Sequence, residues 1–256
     1  MLTEKELELE NKAIVQKYKD LLRTSYQTLS EEDKSQIRLA FEVAVDAHQD
    51  QRRKSGEAYI FHPIAVAQIV AEEIGLDATS IIAALLHDVV EDSDYTLEYI
   101  EEHFGENVAR IVNGLTKIAG LKKDMNNYSQ QAENFRKMLL TLNEDVRVIL
   151  IKIADRYHNM LTLESMRPDK REKIASETLY IYAPLAHRVG LYNIKTILED
   201  LALKYTQPQV FEAIQSQIRS QADNNQEYIE NFKGVIEDAL KKVDQDVDIE
   251  VKLQDR

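Results

Sequence analysis

Residues 80–92 read SIIAALLHDVVED, and the fold turns on this stretch. Asp77 or Thr79 suits a helix start, and from Ser80 to about Asp92 the chain is apolar nearly all round. A helix without a polar face belongs at the centre of a bundle. Its end carries one imidazole and three carboxylates: His87, Asp88, Glu91 and Asp92. If the helix runs on, Glu91 lies one turn above His87, and Asp92 one turn above Asp88. Either this end is solvated, or a cation or proton compensates the groups, because burying them bare is costly.

Outward from there the chain repeats at helical period. Ser30 suits an N-cap before Asp33, ahead of Ile37, Ala40, Phe41, Ala44, Val45 and His48. Pro63 fits the first turn of a run to Ile74 that Gly75 closes, and Thr96 opens a short helix to His103. Further helices are expected over 107–118, 132–142, 144–166, 169–183 and 194–205, with a polar, lid-like loop at 119–131. Pro208 to Val243 reads as one or two long polar helices. Val247, Ile249, Val251 and Leu253 then alternate with charged residues as in a strand, and a strand needs partners. The expectation is an all-α domain followed by the first strand of a second, incomplete domain, the sequence being a fragment.

Composition narrows the chemistry. Seven Gly and four Pro in 256 residues mean few turns, and no two glycines lie close enough for a phosphate-binding loop. With no Cys, disulfides, thiolate zinc sites and cysteine nucleophiles are excluded. The net charge of −13 argues against binding a nucleic-acid polymer or an anionic membrane. The acidic N-terminus does not resemble a signal peptide, and a cytoplasmic protein is expected.

Two further clusters join the 87–92 group. Asp155, His158, Asn159 and Thr162 share one helix face, an unusual set for an exposed surface, where Glu, Lys and Gln make better helices. Arg52, Arg53 and Lys54 form the strongest positive run of the chain, with Ser55 after them and His62 at the mouth of the next helix. Each cluster alone also fits a capping, packing or solvated role. Together, His62, His87, Asp88 and Asp155 offer two imidazoles and two carboxylates, a mixed set suited to a divalent ion such as manganese.

Four segments in this order, KSGEAYIFHP, LLHDVVEDSDYT, VILIKIADRYHNMLTL and IYAPLAHRVG, resemble the hydrolase half of the long Rel/Spo alarmone synthetase–hydrolase family, within the HD-domain metal phosphohydrolases. The resemblance runs from about Phe41 to Tyr205. It implies an all-helical hydrolase domain over 1–205, and over 206–256 a helical connection with the truncated start of a synthetase domain. It implies Mn²⁺ held by His62, His87, Asp88 and Asp155, with Glu91 and Asp92 as paired acids beside it. Arg53, Lys54 and Ser55 match a segment contacting the guanine nucleotide, and Asn159 and Thr162 match residues at its ribose–phosphate end. The implied reaction removes the 3′-pyrophosphate of ppGpp or pppGpp to leave GDP or GTP, without synthetase activity. Synthetase and regulatory domains, and a link to the ribosome, are implied beyond the fragment. The alternatives are a regulatory, inactive module or an HD phosphohydrolase for another nucleotide. Phe135 stands where the family usually has His, while Arg136 and Lys137 remain. His187 and Arg188 are read as structural, and His48, His103 and His158 as structural or supporting.

Overall fold

The computed structural model describes residues 3–25, 29–122 and 145–241, and by chain contacts it divides into units Met1–Ala202 and Leu203–Arg256. The first unit is helical. Its elements are α1 (Glu4–Ser25), α2 (Glu31–Ala47), α3 (Phe61–Ile69), α4 (Ala78–Leu85), α5 (Val89–Asp92), α6 (Leu97–Phe104) and α7 (Glu106–Lys122). After residue 144 come α8 (Val146–Leu161), α9 (Pro168–Glu177), α10 (Ala183–Arg188) and α11 (Tyr192–Thr206), the last crossing into the second unit. That unit continues as one helix, α12 (Pro208–Lys241). Among the described residues the only β pairing is an isolated bridge between Arg52 and Ala58. No described helix is long and apolar enough to cross a membrane.

The expected caps form. Ser30 and Asp33 make a capping box on α2, Thr96 caps α6, and Asp77, not Thr79, caps α4 by accepting from Ser80 N. Each such cap is worth about 1 kcal/mol. Gly75 ends the α3 run in the left-handed region (φ 76°), after a single π turn over Val70–Ile74. Two expected boundaries fall differently. The chain stays helical through Pro184, because a π turn at Thr178–Tyr182 lets proline enter at the first turn of α10. Residues 119–122, expected in a loop, belong to α7. The rest of that loop, the 132–142 helix with Phe135, Arg136 and Lys137, and the strand at 247–253 lie outside the described residues.

Helix α4 is central, as its composition requires: Ser80 through Leu86 are all buried, and it packs on α2, α3, α7 and α8. Helices α7 and α8 approach so closely at Gly114 that a Cβ there would meet Val148 Cγ2 at 2.8 Å. Helix α8 has no exposed polar stripe at its middle; Lys152, Asp155 and Arg156 are buried with their apolar neighbours. Arg156 is satisfied by Glu177 at 2.6 Å and by stacking over Tyr182 at 4.2 Å.

Candidate metal and nucleotide site

The 80–92 helix does not run on as expected; it breaks at 86–88 between α4 and α5. Here His87 Nδ1 sits 2.8 Å from Ala84 O, occupying a carbonyl that a continuing helix would use for its own ladder. The break keeps His87 fully buried and starts α5 on Asp88, with Glu91 and Asp92 exposed in the short turn that follows.

His62 from α3, His87 and Asp155 from α8 bring one donor atom each within 4.8 Å of one another. His62 Nε2 is 3.3 Å from Asp155 Oδ1 and 3.9 Å from Asp88 Oδ2. Asp88 Oδ2 also lies 2.9 Å from His87 Nε2 and accepts from Tyr59 Oη at 2.6 Å. Two helices and the 86–88 turn thus deliver the four residues that the sequence singled out.

The donor set fits a divalent cation. A ring nitrogen facing a carbonyl must donate, so His87 carries its proton on Nδ1 and its neutral form has a lone pair on Nε2. That Nε2 is buried and makes no hydrogen bond, although the Asp88 carboxylate is close by. A lone pair turned toward carboxylates at the bottom of a cluster is a ligand in waiting, since a cation satisfies all of them together.

The local charges keep the two carboxylates ionised, as binding a cation requires. Burial works against ionising Asp155, but Lys152, buried at 3.2 Å, and then His62 hold it well below the usual carboxylate range. Burial opposes Asp88 likewise, and His87 and Lys152 hold it down. His87 is pushed up by Asp88 against its own burial, whereas His62 and His48 are pushed down by burial. Partial burial raises Glu91, with Lys152 pulling the other way.

Of the nucleotide-side residues, Arg53 and Asn159 join the cluster. Arg53 Nη2 donates to Asn159 Oδ1 at 2.8 Å, and Asn159 Nδ2 donates to Asp155 Oδ1 at 2.6 Å. Lys54 and Ser55 are exposed at the tip of the same turn. Thr162 does not point its hydroxyl at the cluster; it donates to the His158 and Asn159 carbonyls at the end of α8. Arg52 is not free for a ligand, being held by Glu10 of α1 through two 2.8 Å contacts. His187 and Arg188 are exposed at the end of α10, outside the cluster.

Sequence reasoning missed Tyr59, Gln51 and Lys152. Gln51 Oε1 accepts from His48 Nδ1 at 3.0 Å, and Gln51 Nε2 donates to Asp92 O at 2.8 Å, tying the acidic turn to α2. Lys152 had a signal: a lysine on an apolar helix, one turn before Asp155, needs a buried counter-charge.

A pH prediction follows for the metal-free protein. Burial, with His62 and Arg53 adjoining, pushes His158 down to about 3 from the ordinary 6.5. The unfolded chain therefore binds a proton below pH 6.5 that the fold refuses, so stability falls as pH drops from 6.5 toward 3. His158 alone sets a slope of about 1.4 kcal/mol per pH unit, and His62 and His48 act in the same direction. His87 acts oppositely: its contribution is complete below 6.5 and fades as pH rises through its raised value. Urea unfolding in chelator should therefore give lower stability at pH 5 than at pH 7; the reverse order would contradict the burial of these rings.

Comparison with known proteins shows the family of the chain. Residues 40–192 match the model of the HD domain. The chain is 48% identical over 216 residues to a guanosine-3′,5′-bis(diphosphate) 3′-pyrophosphohydrolase of Vibrio cholerae, covering 84% of this chain and 30% of that one. It is 48% identical over 215 residues to the bifunctional (p)ppGpp synthase/hydrolase SpoT of Escherichia coli, with the same coverages. The chain thus spans about 30% of the length of these curated relatives. A solved structure, described as a metazoan ortholog of SpoT that hydrolyzes ppGpp, superposes with a TM-score of 0.55 at 25% identity, over 68% of this chain and 94% of that one.

Proposed function

Because the chain belongs to the HD-domain family, we propose that it is a metal-dependent hydrolase of the 3′-pyrophosphate of ppGpp and pppGpp, with Mn²⁺ as its cation. The carrying observation is the buried His87 Nε2, without a hydrogen bond, turned into a cluster with His62, Asp88 and Asp155 and one residue away from Asn159 and Arg53. We read 1–205 as the hydrolase domain and 206–256 as a connection toward a synthetase domain, and assign no synthetase step to this chain.

His62, His87, Asp88 and Asp155 would hold the cation. With Mn²⁺ held there, the site would gain Lewis acidity toward a phosphoryl oxygen and a lowered pKa for water. In the hydrolysis, water oxygen bonds to the phosphorus on O3′, the P–O3′ bond breaks, and O3′ takes up a proton. The Glu91–Asp92 pair, on the exposed turn after Asp88, orients that water, removes its proton and returns one to the leaving oxygen. Lys152 keeps Asp155 ionised. Arg53, its edge fixed by Asn159, leaves a planar face for a purine, and Lys54 and Ser55 supply polar contacts from the same turn.

The test is incubation with ppGpp, with and without Mn²⁺, and separation of products by anion exchange. GDP and pyrophosphate are expected; single phosphates, or no turnover by folded protein with Mn²⁺, overturn the reading. Lys54→Ala should raise KM by about tenfold with kcat kept, and Glu91→Gln should lower kcat by about 10²–10⁴. Equal effects on both constants in both variants would count against these roles.

A further inference from the structure

One ring nitrogen of His158 has two neighbours that belong to different halves of the site. His62 Nδ1 lies 2.8 Å from His158 Nδ1, and Arg53 Nη1 lies 3.1 Å from the same atom. A guanidinium has five N–H donors and accepts nothing, so His158 Nδ1 must be an acceptor. The His158 proton is then on Nε2. Since His158 Nδ1 accepts, His62 Nδ1 must donate to it, which leaves the lone pair of His62 on Nε2. That is the atom 3.3 Å from Asp155 Oδ1, inside the cation cluster. Had His158 carried its proton on Nδ1 instead, it would face Arg53 donor to donor, and His62 would be free to place its own proton on Nε2, where it blocks ligation.

The next residue repeats the connection. Asn159 accepts from Arg53 Nη2 and donates to Asp155, so adjacent residues at the end of α8 each join the Arg53 guanidinium to one ligand of the cluster. The His158 ring stacks obliquely on His62 with centroids 5.0 Å apart.

We propose that His158 is a positioning residue whose single acceptor nitrogen fixes the metal-ligating tautomer of His62 and the orientation of the nucleotide-side Arg53 together. The proposal rests on the cation and nucleotide reading above. It extends that reading in one respect: loss of the Nδ1 acceptor damages both halves of the site, although His158 itself contacts neither ligand. Ligand-orienting partners of this kind are worth about 10–100-fold in metal affinity.

Two variants separate this role from packing. In His158→Asn the amide oxygen takes the place of Nδ1 and can accept from both neighbours; in His158→Gln the oxygen reaches instead to the place of Nε2. Binding of Mn²⁺ alone is read from the electron paramagnetic resonance signal of the free ion, with circular dichroism confirming that each variant is folded. His158→Gln should weaken Mn²⁺ about 10–100-fold, and His158→Asn should stay within about threefold of the native protein. With ppGpp as substrate, His158→Gln should also raise KM, and His158→Asn should restore it. Equal Mn²⁺ affinity in all three proteins, or equal loss in both variants, overturns the proposal. The Mn²⁺ measurement needs no turnover, so the proposal survives if the native protein binds Mn²⁺ in this order yet releases no GDP from ppGpp, an outcome that would sink the substrate reading alone.

Discussion

Replacing His87 with leucine should cut ppGpp hydrolysis by about a thousandfold or more while leaving the metal-free fold nearly as stable as before. The two halves of this result have different causes. His87 is fully buried, and its one hydrogen bond goes to Ala84 O. Leucine fills a similar volume, so the structural cost is that bond plus a modest repacking, within about 2 kcal/mol. The Nε2 side makes no hydrogen bond, and what is lost there is its attraction to the Asp88 carboxylate 2.9 Å away, which Lys152 still holds down. On the proposed ligand set, the variant should lose a ligand to the cation and, with it, several kcal/mol of stabilisation of the developing charge, at about 1.4 kcal/mol per factor of ten. A thermal melt makes the distinction sharp. At a hundredfold excess over its dissociation constant, Mn²⁺ should stabilise the native protein by about 2.7 kcal/mol, or roughly 5–10 °C for a chain of this size. His87→Leu should show no such gain. A variant that keeps the Mn²⁺-dependent shift would remove His87 from the ligand set.

Much of this site could be read from the sequence because its members sit at helix ends and in short motifs. The apolar run 80–86 forces α4 to the centre, and that alone places His87 and Asp88 at the heart of the bundle. Asp155 and Asn159 follow from one helix face. The helix break at 86–88 was not legible, because helical period continues through it; only the side-chain bond from His87 to Ala84 O shows why the ladder stops there. The direction of the Thr162 hydroxyl was hidden for a related reason. Face position predicts where a residue points, but a threonine at a helix end can spend its hydroxyl on the last carbonyls. Long-range partners were equally hidden: no spacing rule announces that Glu10 takes Arg52, or that Tyr59 bonds Asp88. The positive run at 52–54 looked like three cations facing the acids, and the fold leaves one on α1, one bridged to α8 and one in solvent.

Lys152→Met should lower the melting temperature in chelator by roughly 10 °C, and Mn²⁺ should recover part of that deficit. Lys152 is buried with its ammonium 3.2 Å from Asp155 Oδ2, and burial alone would drive it toward neutrality. Asp155 and Asp88 outweigh that burial and hold it charged, so in the absence of metal it is the lasting positive charge among buried carboxylates. Methionine keeps the length and apolar stem but leaves Asp155 without its cation. Breaking a buried pair from one side costs about 3–5 kcal/mol, because the remaining charge keeps its desolvation penalty. At about 2–4 °C per kcal/mol, the expected drop follows. A divalent cation bound beside Asp155 and Asp88 supplies the missing positive charge, and it no longer meets repulsion from the ammonium. The gap between variant and native protein should therefore narrow in saturating Mn²⁺. Arg156→Met provides the comparison from the same helix: its ion-pair partner is Glu177 and Asp155 acts on it only weakly, so its deficit should change much less with the metal. If the Lys152→Met deficit is equally indifferent to Mn²⁺, the cation does not bind at Asp155 and Asp88, and the assignment of the ligand set fails with it.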